Sequence, residues 1–426
     1  MERARDIENF GDIAAIAEEF GTPLLVYSES ILLQNAAKLK DALPNISSLA
    51  YSIKANPNPT ILWILADCGL LAEASSLGEL SLALRTGIPP EKLFLGGPSK
   101  TTEAITTAIN AGISAILVES ATDLARVKSI AGTSESTVNV LLRVNPSCLS
   151  SGAVLKMGGI ASQFGIDEEQ LPVIIQECDE KSVRYAGLFL YAGSQHFSAE
   201  EIVDNTSYLC RLCQRLCAMG LPAPTIIDFG GGFGVPEDES QPELDLSQLK
   251  KGMERIFNQE VKELTNLGLQ QTIFESGRYL VSRAGIYVAS VVDVKRSRGK
   301  QFAILDGGIN NLGIRQLMYR TFEPQLEVWK QSGEKVELTT FVGPTCTPID
   351  IVHKGIEVPD IKVGDLVVIH NFGAYSISYS PVHFCGHPWP AEVLVRADGS
   401  YRLVRRRGEL EESCGIGYIN PLELTK

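Results

Sequence analysis

SLAYSIKANPNPTILWILADCGLLAEASSLGELSLALRTGIPPEKLFLGG (48–97) is the stretch that decides the fold. Three β-rich runs, SLAYSI (48–53), LLAEAS (70–75) and KLFLGG (92–97), are separated by stretches of helical spacing at 58–68 and 76–86. Apolar runs alternating with helical segments predict parallel βαβ units. The rhythm continues in SAILVES (114–120), VNVLLRV (138–144), AGLFLYAG (186–193), TIIDFG (225–230) and TIFES (272–276). Helix-like segments lie between them at 101–111, 121–131, 168–178, 199–219 and 245–266. Eight strands in ~225 residues predict an α/β protein with a closed (β/α)8 barrel, spanning 29–275 and opened by a helix at 29–42.

After residue 276 the texture changes. YLVSRAGIYVASVVDVKR, KQFAILDGG, VELTTFVGP, DLVVIHNFGAYSISYS and AEVLVRADGSYRLVRR alternate polar and apolar residues around glycine turns. This predicts a C-terminal antiparallel β domain over 276–426. The run TPLLVYS (22–28) precedes the barrel, so residues 1–28 are expected to add a strand to that sheet. SCLSSGAVLKMGG (147–159) reads as a long loop inside the barrel, of a kind often functional.

Composition narrows the functional classes. The 426 residues are 44% hydrophobic and 21% charged, as in soluble globular proteins. A net charge of −13 argues against nucleic-acid binding through a broad basic face. The longest apolar candidate, Ile61–Leu71, is short and carries Asp67, so no membrane span is expected. MERARDIENF (1–10) lacks the apolar core of a secretory signal. With nine cysteines, an odd number, reduced thiols and a cytoplasmic location are expected.

Barrels of this kind place functional residues at the C-terminal ends of their strands and bind phosphate after strands seven and eight. Strand seven runs into DFGGGFGVP, where Gly231, Gly232 and Gly234 let backbone N–H groups approach an anion. Strand eight ends in Glu275-Ser276-Gly277-Arg278. Strand one ends in YSIKAN, with Lys54 at the mouth. A lysine, a phosphate cradle and an acid for a ring nitrogen are the parts that pyridoxal phosphate requires. An acid on the ring nitrogen favours decarboxylation, because a protonated ring delocalises the carbanion left by CO2.

Together YSIKAN, the GGGFG loop, ESGR, GPTCTPID (343–350) and NFGAYS (371–376) resemble the fold-type III pyridoxal-phosphate decarboxylases, which include diaminopimelate, ornithine and arginine decarboxylases. The resemblance runs from about 22 to 407. It implies an alanine-racemase-like barrel, a C-terminal β domain, and a head-to-tail homodimer with shared active sites. By motif, Lys54 resembles the lysine that binds the cofactor's aldehyde and Glu275 the partner of the ring nitrogen. Gly231, Gly232, Gly234, Gly277, Arg278 and Tyr375 resemble the phosphate holders, and Arg143 and Ser194 match further cofactor positions. Cys346 matches the cysteine that the neighbouring subunit contributes and that protonates the carbanion.

Two departures from the family pattern carry information. The family's H-I-G-S-Q reads Tyr191-Ala192-Gly193-Ser194-Gln195, where Tyr191 can still stack on a ring. The residue after the shared cysteine, acidic in the diamino-acid enzymes and in contact with the distal ammonium, is Thr347, followed by Pro348. A buried ammonium would lack its partner there, unless Asp350 compensates. Thr347-Pro348, Tyr191, AVLKMGGIASQFGI (153–166) and SPVHFCGHPWPAEVL (380–394) resemble the branch that decarboxylates a glutamyl group held as a thioester on an acyl-carrier protein in secondary-metabolite biosynthesis. The alternatives are a decarboxylase of free diaminopimelate, ornithine or lysine and, more remotely, an amino-acid racemase or a non-catalytic homologue.

Docking an acidic carrier protein calls for a local basic patch, and two clusters qualify: Lys295-Arg296-Ser297-Arg298 with Lys300, and Arg405-Arg406-Arg407. Cys385 is a further candidate for the substrate pocket wall, and His196 lies near the active rim. Cys210, Cys213 and Cys217 fall on one helix face and read as core rather than as a metal site. No metal ligands are assigned.

Overall fold

The computed structural model describes residues 7–134, 136–147, 155–156, 159–179, 181–238, 240–313, 324–329, 336–410 and 412. Over these residues the chain divides into two compact units. One comprises Leu33–Val235 and Pro242–Leu280, the other Met1–Leu32, Pro236–Gln241 and Val281–Lys426.

In the first unit eight parallel strands close on themselves: Ser47–Ser52, Leu71–Ala74, Leu93–Leu95, Ala115–Val118, Val138–Asn145, Val183–Phe189, Ile226–Asp228 and Gln271–Ser276. Each pairs with the next, and the last returns to the first with Glu275 level with Ala50. Polar caps start the intervening helices. Asn58 accepts from Thr60 N (2.9 Å) ahead of Pro59–Asp67, and Ser76 accepts from Glu79 N (3.2 Å) ahead of Leu77–Arg85. Ser120, Ser198 and Asp245 do the same for Ala121–Thr133, Ala199–Ala218 and Leu246–Ile256. Side chains from all eight strands, Phe94, Leu117, Leu141 and Ile273 among them, fill the interior as a buried apolar floor.

The strand predicted over 186–193 runs instead from Val183 to Phe189, so Tyr191 to Ser194 lie beyond its end. Cys210 and Cys213 are buried on Ala199–Ala218, where burial pushes both thiols up. The seven described cysteines are free thiols. Residues 148–154 and 157–158 of the 147–159 loop lie outside the described residues. No helix among the described residues is long and apolar enough to cross a membrane.

The second unit is a mixed sheet. Leu24–Ser28 lies between Gly285–Ser297, antiparallel, and Ala391–Val395, parallel. Lys300–Leu305 pairs in parallel with Val336–Val342, which forms an antiparallel hairpin with Ile351–Pro359. The sheet expected to be antiparallel is antiparallel in most of its pairings and parallel in these two. One joins strands from opposite ends of the chain and the other spans a long connection, which is where parallel neighbours become possible.

Candidate active site

The C-terminal ends of the barrel strands gather charge above the apolar floor. Lys54 sits in the turn Ile53–Ala55 after the first strand, its side chain 42% exposed. Its Nζ lies 3.4 Å from Glu73 Oε2, at the end of the second strand, and 5.9 Å from the centre of the Tyr191 ring. Ser75 Oγ donates to the other Glu73 oxygen at 2.8 Å. Arg143, buried on the fifth strand, pairs with buried Glu119 at 3.0 Å, its guanidinium 4.6 Å from the Phe164 ring. Gly165 N also donates to Glu119 (3.3 Å).

Asp228 ends the seventh strand and Glu275 lies near the end of the eighth, 1% and 2% exposed. Burial pushes the Asp228 carboxyl up to about 7. Burial, and then the neighbouring Asp228 and Glu73, raise Glu275 well above the carboxylate range, opposed by Lys54 and Arg143. Asp228 accepts from Gly230 N at 2.8 Å, while Glu275 Oε1 is buried with no hydrogen-bond partner among the described residues. A buried acceptor left in this way calls for a donor from outside the chain, and a cationic one would relieve the crowding of acids.

The glycine loop is laced to these acids and to the segment after Tyr191. Glu275 N donates to Gly230 O (2.7 Å), and a Cβ on Gly231 would stand 2.1 Å from Glu275 O. His196 N donates to Gly232 O (2.8 Å), and Gly234 N to His196 O (2.9 Å). The Gln195 amide brackets Val235, donating to its carbonyl (3.0 Å) and accepting from its N–H (2.9 Å). A Cβ on Gly232 would meet Gly193 O at 2.2 Å, so backbone packing alone already requires glycine there. Gly277 brings the eighth strand against the turn that carries Lys54, since its Cβ would lie 2.8 Å from the Ala55 Cβ. Arg278 opens the short helix Arg278–Val281, and Ser194 lies on the two-residue strand Gly193–Ser194. His196 is buried with Nδ1 3.3 Å from Glu201, and burial lowers its pKa.

The sheet unit holds the remaining residues singled out in the sequence. Cys346 is exposed and Thr347 half-buried, on the loop joining Val336–Val342 to Ile351–Pro359. Tyr375 and exposed Cys385 both adopt positive φ (+53° and +58°), as does Gln195 in the barrel (+63°). Such backbone in residues other than glycine is uncommon and gathers at functional segments. Asp350 is turned inward, to its own loop. Its carboxylate is 3% exposed and accepts from Ile309 N (2.8 Å), Thr345 N (2.9 Å) and Thr345 Oγ1 (2.5 Å).

Glu73, Glu119, Asp228 and Gln195 escaped the sequence reading. The signal for three of them was there, because each is an acid ending an otherwise apolar strand: LLAEAS, AILVES, TIID. A carboxylate buried in that position needs a partner.

Comparison with known proteins agrees with this geometry. Residues 30–282 match the sequence model of the family described as pyridoxal-dependent decarboxylase, pyridoxal binding domain. The chain is 32% identical over 410 residues to the L-glutamyl-[BtrI acyl-carrier protein] decarboxylase of Niallia circulans, covering 94% of this chain and 95% of that one. It is 30% identical over 397 residues to the diaminopimelate decarboxylase of Aquifex aeolicus, covering 92% and 90%. The solved structure of diaminopimelate decarboxylase from Helicobacter pylori, complexed with L-lysine, matches with a TM-score of 0.85 and 25% identity over 96% of this chain and 99% of that one. With more than half its length matched to one family and nearly all of it aligned to that family's members, the chain belongs to the pyridoxal-dependent decarboxylases and is an amino-acid decarboxylase that uses pyridoxal phosphate.

Proposed function

We propose that this enzyme removes the α-carboxylate of a glutamyl group whose γ-carboxyl is held as a thioester on an acyl-carrier protein, releasing CO2 and a 4-aminobutyryl thioester. The observation that carries the reading is the loop after Cys346. Thr347 stands where the diamino-acid enzymes have an acid, and Asp350, the nearest carboxylate in sequence, is consumed by three protein donors. An ammonium at the distal end of a substrate would find no counter-charge in this loop, whereas a neutral thioester needs none. The relative named as acting on a glutamyl group of a carrier protein, aligned along nearly the whole chain, supports the same choice.

Pyridoxal phosphate, when bound, supplies a protonated aromatic ring that takes up the electron pair left on the α-carbon as CO2 departs. The mouth of the barrel suits it: Glu275 Oε1 has no donor among the described residues, and the three acids Glu73, Asp228 and Glu275 favour a cation. Glu275, backed by Asp228, holds the proton at the ring nitrogen. Lys54 provides the amine for the cofactor's aldehyde, with Glu73 beside it. Gly231, Gly232, Gly234, Gly277, Arg278 and Tyr375 would hold the phosphate, and Tyr191 would offer the ring an aromatic neighbour. Arg143 and Ser194 complete the cofactor's surroundings. The Cys346 thiol, contributed by the partner in a homodimer, delivers a proton to the α-carbon once CO2 has left, and Thr347 and Cys385 face the substrate. We place the reaction in the cytoplasm.

A CO2-release assay comparing glutamyl-carrier-protein thioester with free diaminopimelate, ornithine and lysine tests the substrate. Release from the thioester is expected, and release confined to a free diamino acid would overturn it. The diaminopimelate decarboxylases among the relatives make that the reading to beat.

A further inference from the structure

We infer that the outer face of the sheet around Lys300 and Lys354 is the docking surface for the acidic carrier protein, an inference that rests on the tethered-substrate reading above. Two basic clusters stand out in the sequence, and their surroundings separate them. In the 405–407 cluster every arginine is engaged. Arg405 pairs with buried Glu392 (2.6 Å), and Arg406 with Glu409 (3.2 Å) and Glu412 (2.5 Å). Arg407 donates to Phe20 O (3.3 Å). Two of these arginines are paired with carboxylates and the third is tied to a carbonyl, which leaves little for a partner.

The other cluster is arranged differently. Arg298 lies in the turn between Gly285–Ser297 and Lys300–Leu305, Lys295 and Lys300 are exposed on those strands, and Lys354 is exposed on the neighbouring hairpin. None of these four makes an ion pair with another described residue, whereas Arg296 pairs with Glu337. Three cations, Arg296, Lys300 and Lys354, and one acid, Glu337, line the same stretch of surface, on a chain whose net charge is −13. Between the cations runs a groove of about 780 Å3 whose apolar walls include Leu338, Val336, Phe302 and Ile351. Leu338 is 61% exposed, unusual for a leucine in the middle of a strand. Apolar floor and cationic rim are what an acidic helix with a few apolar side chains would fit.

The groove also has the right neighbour. Ile351, in its wall, follows Asp350 and pairs with Val342, so one end of the groove adjoins the loop that carries Cys346. From Leu338 to Val342 is four residues of extended strand, roughly 13 Å. A carrier seated on the groove would therefore hold its flexible prosthetic arm within a short span of that loop.

The test compares two substrates that share the reacting group, the glutamyl thioester of an acyl-carrier protein and that of free pantetheine, in the full-length enzyme loaded with cofactor. For Lys300→Glu/Lys354→Glu, kcat/KM with the carrier-bound substrate is expected to fall on the order of 10-fold or more, mainly through KM, and its salt dependence to flatten. The pantetheine thioester should be turned over as by wild type. Leu338→Asp should act in the same sense. If both substrates are unaffected, or both decline equally, the docking surface is wrong although the substrate reading stands. If sedimentation shows that the variants change self-association, the face belongs to a second copy of the chain and the proposal falls. Turnover of neither thioester by wild type would instead remove the substrate reading, and the docking surface with it.

Discussion

Glu275 at the barrel mouth and Asp350 under the Cys346 loop are buried to nearly the same degree, 2% and 3% exposed, yet their surroundings differ in kind. Asp350 receives three donors from its own unit, two backbone N–H groups and a hydroxyl. Glu275 has a buried oxygen with no hydrogen-bond partner among the described residues and two acids for neighbours, and its carboxyl is raised accordingly. A buried acid with a full set of donors is part of the scaffold. One with an incomplete set, crowded by like charge, is set for a group that the chain does not supply.

If that contrast holds, substitution at the two positions should fail in opposite ways. In the role proposed above, Glu275→Gln keeps shape and removes the carboxylate that would hold a proton at the ring nitrogen. We expect kcat to fall at least ~10^3-fold, about 4 kcal/mol, with the fold intact. A melting temperature of the cofactor-free protein that dropped alongside activity would break the contrast. Asp350→Ala strands three buried donors and should cost about 3 kcal/mol in denaturant unfolding. Asp350→Asn, which keeps one acceptor oxygen, should lose less. Wild-type stability for Asp350→Ala would show that the carboxylate does not hold the loop.

The barrel half of this contrast was partly legible in the sequence. Runs such as SLAYSI and LLAEAS alternate with capped helical segments, and local chemistry suffices for that: Asn58, Ser76 and Ser120 cap the helices their positions suggest. The glycine loop and Lys54 stand out in the sequence because they follow strand ends. Asp228 shares that position, closing TIID, but only the register that sets it beside the eighth strand shows that it is buried. Asp350 is ambiguous in the sequence for a related reason. Three residues of spacing from Thr347 say nothing about which way a side chain turns, and Thr345 and Ile309, which turn it inward, come from different segments. The parallel pairings of the sheet depend on strands far apart in the chain, beyond the reach of local pattern.

Proton linkage sharpens the barrel side further. Asp228 is raised to about 7 in the folded protein, above its unfolded value of about 3.9. The folded state therefore binds the proton more tightly, and its contribution to stability is present at acid pH and lost as pH rises through about 7. Cofactor-free protein should lose on the order of 2 kcal/mol between about pH 5 and about pH 7.5, and Asp228→Asn should flatten the slope. Bound cofactor should flatten it too, by placing a cation beside the pair. Stability rising over that range would contradict a raised Asp228 carboxyl in the folded protein.

The smallest expected effect probes whether the Asp350 donor set acts as a whole. Thr345→Val removes the hydroxyl but leaves both backbone N–H groups on the carboxylate, so the loss should be about 1 kcal/mol. If the set also fixes the loop, Cys346, the residue after Thr345, should become easier to alkylate with iodoacetamide at constant pH, because a loosened loop exposes the thiol in more orientations. A stability loss with unchanged alkylation would confine Asp350 to supporting the sheet. Changed alkylation together with a small stability loss would tie the buried acid to the placement of the thiol, and the two units of the chain would then each use burial for the site in its own way: one by leaving an acid short of donors, the other by giving an acid all it can take.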